Sequence, residues 1–258
     1  MIKITRTERP SELTDEVQEK LTQIFIADNK KKVWDQKYIR DGLMEMSHCK
    51  CCYCEKKVGP GLTDMQVEHF KPKSLYPQEV VKWDNLLSAC ADCNRSKLGH
   101  DTGASPIVNP CEEDPRQFFY LKNFRYNAFD TDIKSKANVT IDVLGLNDLD
   151  KKCAVRYQII SAILDKLADI CCYAKEHNAE LGADVRKRNK VVKTCRGILK
   201  MCIPTAEYSA FAATAVQTNQ DYLELKQILQ NNNQWDQELE MLDKESQQCV
   251  YPEAKEQS

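Results

Sequence analysis

Apolar residues near the start of the chain recur with the spacing of a helix. The segment TDEVQEKLTQIFIAD begins with Thr14, a residue type whose side chain can accept a hydrogen bond from the first helical turn. The residues that fall on one helical face are Val17, Leu21, Ile24 and Phe25. We therefore predict a first helix in this segment.

The middle of the chain has a different pattern. Residues 48–110 are rich in Cys, Pro, Gly and Lys and predict short strands without a long helix. Two later segments, QFFYLKNFRYNAFD and KANVTIDVL, lie between residues 117 and 144 and are aromatic and β-branched. Such composition is typical of strands, and we predict strands in both.

From about residue 147 the helical period returns. The segment LDKKCAVRYQIISAILDKLADICCYA carries apolar residues on one side of a helix, namely Ile159, Ile160, Ile163, Leu167 and Ile170. Further helical patterns cover 184–202, 205–217 and 219–243. We predict an α+β, cysteine-rich domain over 1–146, with an N-terminal helix, and an α-helical domain over 147–258.

Composition is that of an ordinary globular protein, with 42% apolar and 29% charged residues. No apolar run approaches the ~18 residues that a membrane helix needs. The first residues, MIKITRTERP, lack the apolar core of a secretory signal. These features predict a cytoplasmic protein.

Charge is unevenly distributed along a chain whose net charge is only −2, which excludes a uniformly basic nucleic-acid binder. Residues 184–200 carry seven Lys or Arg against one Asp, a balance of +6. Residues 221–258 carry nine Asp or Glu against three Lys, a balance of −6. The charge of both stretches is typical of helix faces that are exposed to solvent. Alternatively, the first contacts phosphates, through Arg186, Lys187 and Arg188, and the second is a docking surface.

Six of the 13 cysteines lie between residues 49 and 93. In a reducing compartment such clustering indicates a metal site more often than disulfides. Cys-x-x-Cys pairs occur at Cys51/Cys54 and Cys90/Cys93, and an overlapping pair occurs at Cys49/Cys52, next to His48. A redox role would need a thioredoxin-like βαβ pattern, which the sequence lacks. The other cysteines are predicted to be small buried hydrophobic residues: Cys111, Cys153, Cys171, Cys172, Cys195, Cys202 and Cys249.

Between the cysteine pairs lies MQVEHFKPKSLYPQEVVKWDNLLSACADCNRSK. Its ordered features are Glu68–His69, Pro72, Asn85 within WDN, and Asn94 after the second cysteine pair. In this order they resemble the HNH nuclease family, which has the ββα-metal fold. The resemblance implies two short strands and a helix between the flanking cysteines. It also favours Cys51, Cys54, Cys90 and Cys93 as ligands of a structural Zn²⁺ ion.

The resemblance further implies roles for the motif residues. His69 would be the general base, and Asn85 would fix its loop or ring orientation. Glu68 and Asn94 would bind a catalytic Mg²⁺ or Mn²⁺ ion, to which hard oxygen donors are suited. Glu68 stands where the family more often has Asp, and His100 and Asp101 lack the family spacing for a further ligand. The basic residues expected to contact nucleic acid in this region are Lys71, Lys73, Arg95 and Lys97.

Three further segments extend the resemblance over roughly residues 1–165: MIKITRTERPSEL, PIVNPCEEDPRQFF and TIDVLGLNDLDKKCAVR. They are similar to the PtuB family, the nuclease subunits of Septu and retron-associated anti-phage systems. This implies a PtuA-like ATPase partner of the SMC/ABC type, to which the helices after residue 147 would bind. The chain has no G-x-x-x-x-G-K-[ST] loop, so ATP dependence would come from that partner.

The sequence therefore predicts a metal-dependent HNH endonuclease, with DNA as the expected substrate. One alternative is another kind of HNH nuclease, such as a restriction enzyme or an RNA- or tRNA-directed enzyme. The other is a zinc-knuckle module that binds nucleic acid or protein without catalysis. Such a module has no need of Glu68, His69 and Asn94, and their presence favours the nuclease.

Overall fold

The computed structural model describes residues 1–62 and 64–254. Thr63 lies outside the described residues. So do residues 255–258, which end both the predicted helical domain and its acidic stretch. The chain forms two compact units, of which the first consists mainly of Met1–Tyr120 and Arg125–Asp148. The second consists of Leu121–Phe124 and Leu149–Glu253. The predicted assignment of nuclease and docking roles to 1–146 and 147–258 stays a prediction.

The first unit begins with two helices, α1 (Asp15–Ala27) and α2 (Lys37–Met46). The predicted cap of α1 is present, because Val17 N donates to Thr14 Oγ1 at 3.3 Å. Helix α2 was not predicted. It buries Ile39, Leu43 and Met46, which are spaced by one turn along one face.

The centre of this unit is a strand pair followed directly by a helix. Strand β1 (Met65–His69) runs antiparallel to β2 (Leu86–Cys90), with His69 opposite Leu86. Every residue of β2 is buried, in accord with its apolar sequence. Helix α3 (Ala91–Lys97) follows β2 without a loop. The predicted fold class, an α+β ββα core followed by a helical region, is confirmed.

Strands β3 (Phe119–Lys122) and β4 (Arg125–Ala128) form a second two-stranded sheet, as predicted. The prediction of a strand for KANVTIDVL was wrong, because this segment forms helix α4 (Lys136–Val143). Ser135 caps it by accepting a hydrogen bond from Asn138 N at 3.3 Å. The buried Thr140 hydroxyl donates to Lys136 O at 2.6 Å. Local capping therefore outweighs the β-branched composition.

The second unit is built from helices α5 (Ala154–Glu176), α6 (Val185–Lys200), α7 (Ser209–Gln217), α8 (Gln220–Asn231) and α9 (Gln237–Gln247). The single helix predicted over 219–243 was wrong. The chain breaks between α8 and α9, where Asn233 has a φ of 57° and Asp236 caps α9 through Leu239 N. The predicted apolar face of α5 is buried except at Ile159, which is partly exposed.

The opposed charges of the basic and acidic stretches partly pair with each other inside this unit. Arg196 of α6 pairs with Asp236 and Glu238, and Lys200 pairs with Glu238 at 2.9 Å. These opposite charges therefore compensate each other within the unit.

The scattered cysteines are mostly buried, as predicted. The prediction was wrong for Cys172, which is exposed, and Cys111 is half-buried. Among the described residues, no helix is both long and apolar enough to cross a bilayer.

Candidate active site and metal centre

A tight turn and a helix start bring two cysteine pairs together. Cys51 N donates to Lys56 O at 2.8 Å and Glu55 N donates to Cys51 O at 2.9 Å, which folds the first pair into a knuckle. Cys90 ends β2, and Cys93 lies in the first turn of α3. The two Cys-x-x-Cys pairs thus meet at the end of the ββα core.

The four sulfur atoms of Cys51, Cys54, Cys90 and Cys93 lie within 4.8 Å of one another, and all four residues are buried. The Sγ atoms of Cys54 and Cys90 are 3.7 Å apart. A zinc ion with tetrahedral Zn–S bonds of about 2.3 Å separates its sulfur ligands by about 3.8 Å, whereas a disulfide requires about 2.05 Å. The set therefore fits a closed thiolate site for zinc.

The overlapping pair does not join this cluster. Cys49 is exposed, and Cys52 is buried outside the group. Cys52 N instead donates to Ser88 O at 2.8 Å, and Ser88 Oγ donates to Lys50 O at 3.0 Å. Residues 50–52 therefore attach the knuckle to strand β2.

His69 is buried at the end of β1, and its ring orientation is fixed by a backbone carbonyl. Nε2 lies 2.9 Å from Val80 O. Because a carbonyl oxygen only accepts, Nε2 carries the proton and Nδ1 is the basic nitrogen. Burial lowers the pKa of His69 to about 3, with a further contribution from the positive charge of Lys73. The imidazole is therefore neutral at physiological pH.

Asn85 holds the loop that carries Val80. Its Oδ1 accepts from Lys71 N at 2.7 Å, and its Nδ2 donates to Lys71 O and Glu79 O, both at 3.1 Å. Asn85 is buried, and its own carbonyl accepts from Phe70 N at 2.9 Å. The side chain thus fastens both ends of the loop 71–79, immediately before the carbonyl that holds His69.

Glu68 is buried and paired. Lys97 Nζ lies 2.7 Å from Glu68 Oε1, and Tyr53 OH donates to the same oxygen at 3.5 Å. Lys97 also donates to His69 O at 2.8 Å. Burial raises the pKa of Glu68, and the charge of Lys97 opposes that shift without cancelling it. The expectation that Lys97 lies at a nucleic-acid surface was wrong, because its side chain is fully buried in this ion pair.

Glu68, His69 and Asn94 line one cavity of about 870 Å³. Lys73 also lines it, as do Lys32 from the loop between α1 and α2 and Arg40 from α2. The motif residues therefore face the same space, although they come from a strand end and a helix.

Trp34 is a cavity residue that sequence analysis missed. Its ring meets the His69 imidazole edge to face, with centroids 5.0 Å apart, and packs on Phe25 at 5.8 Å. Lys73 Nζ lies 4.7 Å from the Trp34 centroid, in a cation–π contact. The one relevant pattern in the sequence is the lysine run KKKVW, which ends at this aromatic residue.

The remaining predicted residues are spread over both units. Lys71 pairs with Glu79 at 2.8 Å, and Arg95 is exposed on α3. The predicted contacts Arg186, Lys187 and Arg188 belong to the second unit, on α6.

His100 and Asp101 do not line the cavity. His100 Nε2 lies 2.7 Å from Ser105 O, while Asp101 accepts from Tyr76 OH and Gly103 N, both at 2.9 Å. Both side chains stabilise the segment after α3.

The donor set at the cavity fits a hydrated magnesium-type ion. Glu68 offers a carboxylate and Asn94 an amide oxygen, and the described contacts of the Glu68 carboxylate fall on Oε1 alone. Among the described residues, Glu68 belongs to no cluster of three or more Cys, His or acidic ligands. Mg²⁺ usually keeps several waters and takes only one or two carboxylates, so two protein donors suffice.

Comparison with known proteins agrees with this geometry. Residues 49–98, which span the cysteine cluster and the motif, match the HNH endonuclease family model. The chain is 36% identical to the Septu protein PtuB of Bacillus thuringiensis over 94% of this chain and 92% of that protein. It is 26% identical to a Septu protein PtuB of Bacillus mycoides over 48% of this chain and 55% of that protein.

A third relative is the Retron Vc95 putative HNH endonuclease of Vibrio cholerae. It is 28% identical over 57% of this chain and 77% of that protein. Because similarity to the first relative extends over nearly the whole of both chains, and the HNH match covers the cavity residues of β1 and α3, this chain belongs to the PtuB family and is an HNH endonuclease.

Proposed function

We propose that the chain is the nuclease subunit of a Septu-type anti-phage defence system and that it hydrolyses phosphodiester bonds of DNA. The observation that carries the proposal is the shared cavity of Glu68, His69 and Asn94. The names of the relatives, two Septu proteins and a retron endonuclease, support the defence context. DNA is proposed as the substrate from the family resemblance, with RNA as the alternative.

His69 acts as the general base in this proposal. Its Nδ1 accepts a proton from the water that attacks phosphorus, while Val80 O keeps the ring in place through Nε2. Asn85 holds the loop that supplies this carbonyl. Lys73, which lines the cavity, lies where its ammonium can neutralise a phosphate oxygen.

Glu68 and Asn94 would hold the catalytic Mg²⁺ or Mn²⁺ ion. When bound, such an ion supplies positive charge to the phosphate and the leaving oxygen. The nearby ammonium of Lys97 favours the ionised form of Glu68 in its buried position. At the other end of the ββα core, Cys51, Cys54, Cys90 and Cys93 would hold a structural Zn²⁺ ion that fixes the positions of β2 and α3.

The proposal includes a PtuA-like ATPase partner of the SMC/ABC type. This chain has no phosphate-binding loop of the G-x-x-x-x-G-K-[ST] type. Energy from ATP would therefore enter through the partner, which binds helices of the segment 147–258.

The experiment is a cleavage assay on the purified chain, alone and with its ATPase partner. Plasmid DNA, single-stranded DNA and RNA are offered with Mg²⁺ or Mn²⁺, and each reaction is repeated with EDTA. We expect DNA cleavage that EDTA abolishes. Cleavage of RNA alone would overturn the proposed substrate, and no cleavage of any substrate with or without the partner would overturn the proposed function.

A further inference from the structure

Helices α5 and α6 leave an open apolar groove between them in the second unit. The groove has a volume of about 410 Å³ and is lined mainly by Ile159, Ala162, Ile163, Gly197, Ile198 and Met201. Ala162 is exposed, and Met201 is 43% exposed although it is large and apolar. The groove thus presents apolar surface to the outside of the unit.

Gly197 supports the view that the groove is occupied by something outside this unit. Glycine is the least favourable residue in a helix interior apart from proline, and Gly197 lies within α6. A Cβ atom at this position would meet no neighbouring heavy atom within 4 Å. Packing within the chain therefore gives no reason for the missing side chain, whereas a group entering the groove does.

One end of the groove carries positive charge, with Lys166 in its lining and Lys193 beside it on α6. Lys193 lies one turn before Gly197 on the same helix face. In the described part of the chain neither lysine has an ion-pair partner within 4 Å. Asp169 follows Lys166 by three residues, but Lys190 extends the basic row along α6.

We propose that this groove binds an amphipathic helix of the ATPase partner, whose apolar side chains fill the space over Gly197 and whose acidic residues meet Lys166 and Lys193. This inference rests on the proposed function, which supplies the partner. An apolar floor with lysines at one end is suited to a helix with apolar anchors and acidic residues at the matching end. A phosphate backbone would make no use of the apolar floor.

The test compares two substitutions on the same helix. Ala162→Glu places a charged side chain in the groove, while Ala168→Glu makes the same change at an exposed position of α5 outside it. Binding of each full-length variant to the purified ATPase subunit is measured by calorimetry, with circular dichroism as a check of folding. We expect Ala162→Glu to weaken binding by about 10-fold or more and Ala168→Glu to leave it unchanged.

A second arm tests the charge of the occupant. Lys193→Glu is expected to weaken binding, and the wild-type affinity is expected to fall as salt is raised. Wild-type affinity in Lys193→Glu would overturn the acidic character of the occupant.

The other outcomes distinguish the possible occupants. Equal affinity of Ala162→Glu and wild type would overturn the groove as the docking site while leaving the proposed function intact. Loss of DNA binding in Ala162→Glu with ATPase binding retained would assign the groove to nucleic acid. A change in oligomeric state alone would assign it to a second copy of this chain, and both results would overturn the proposal. A wild-type chain that does not bind the ATPase would overturn the groove assignment and the proposed partner together, whether or not the chain cleaves DNA.

Discussion

The Lys97 ammonium lies 2.7 Å from Glu68 Oε1, and both side chains are almost completely buried. The same ammonium donates to the carbonyl of His69. Lys97 therefore ties helix α3 to the last two residues of strand β1, where the proposed base and metal ligand lie. The sequence predicted that Lys97 lies at the surface, but its buried side chain instead stabilises the active site.

Replacement of Lys97 should destabilise the first unit. Lys97→Ala leaves the buried Glu68 carboxylate without its partner, which costs about 3–5 kcal/mol in the free energy of unfolding. Arg95→Ala, two residues earlier on the exposed side of α3, should change it by less than about 0.5 kcal/mol. Urea denaturation of both variants measures the difference. Equal stabilities would contradict the structural role of Lys97.

Asn85→Asp should reduce turnover without loss of the fold. The variant keeps an acceptor for Lys71 N but places a carboxylate oxygen against the carbonyls of Lys71 and Glu79, where Nδ2 now donates. The loop should shift and displace the Val80 carbonyl that orients His69. Because small displacements of a catalytic group cost about 10²-fold, we expect a kcat loss of about that size. Wild-type kcat in this variant would refute the positioning role.

The cysteine cluster makes a prediction that separates the two overlapping pairs. Cys54→Ser should remove zinc and yield insoluble or unfolded protein, because such a metal contributes directly to folding. Cys49→Ser changes an exposed thiol outside the cluster and should keep the wild-type zinc content and melting temperature. Metal analysis by mass spectrometry measures the zinc content of both variants, and thermal denaturation measures the melting temperature. Loss of zinc in Cys49→Ser would mean that the other pair supplies ligands.

The environment of Asp243 predicts that the second unit becomes less stable in acid. Burial tends to raise its pKa, but hydrogen bonds from Lys226, Tyr222 and Gln217 more than offset this and leave the pKa below its usual 3.8. A carboxyl whose pKa is lower in the folded state stabilises at pH values above its unfolded pKa, and this contribution is lost as pH falls through the folded pKa.

Asp243→Asn should therefore lower the free energy of unfolding at pH 7, by about 1–3 kcal/mol. The difference from wild type should shrink toward pH 3. Chemical denaturation at both pH values measures it. A difference that stays constant with pH would show that the ionised carboxylate is not the source of the stabilisation.

Sequence reasoning succeeded where chemistry is encoded locally. The Glu68–His69 pair and Asn94 share the cavity that their order in the motif predicts. Helix α1 was predicted from a cap and a periodic apolar face, both of which are features of adjacent residues.

The failures have physical reasons. The segment 136–143 is β-branched, yet the Ser135 cap makes it a helix. Trp34 reaches His69 from a loop far away in sequence, and Val80 acts through its carbonyl, which no residue pattern reveals. Lys97 was misplaced because burial of a lysine depends on a partner, Glu68, that only the folded chain brings near.

The most direct test of the account is the cleavage rate of His69→Ala beside that of His100→Ala. Both histidines place Nε2 near a backbone carbonyl, but His69 alone of the two lines the cavity. With Mg²⁺ or Mn²⁺ present and zinc content unchanged, His69→Ala should cleave DNA about 10²–10⁴-fold more slowly than wild type, while His100→Ala should stay close to it. A His69→Ala protein that cleaves as fast as wild type would contradict the central claim that this imidazole is the general base.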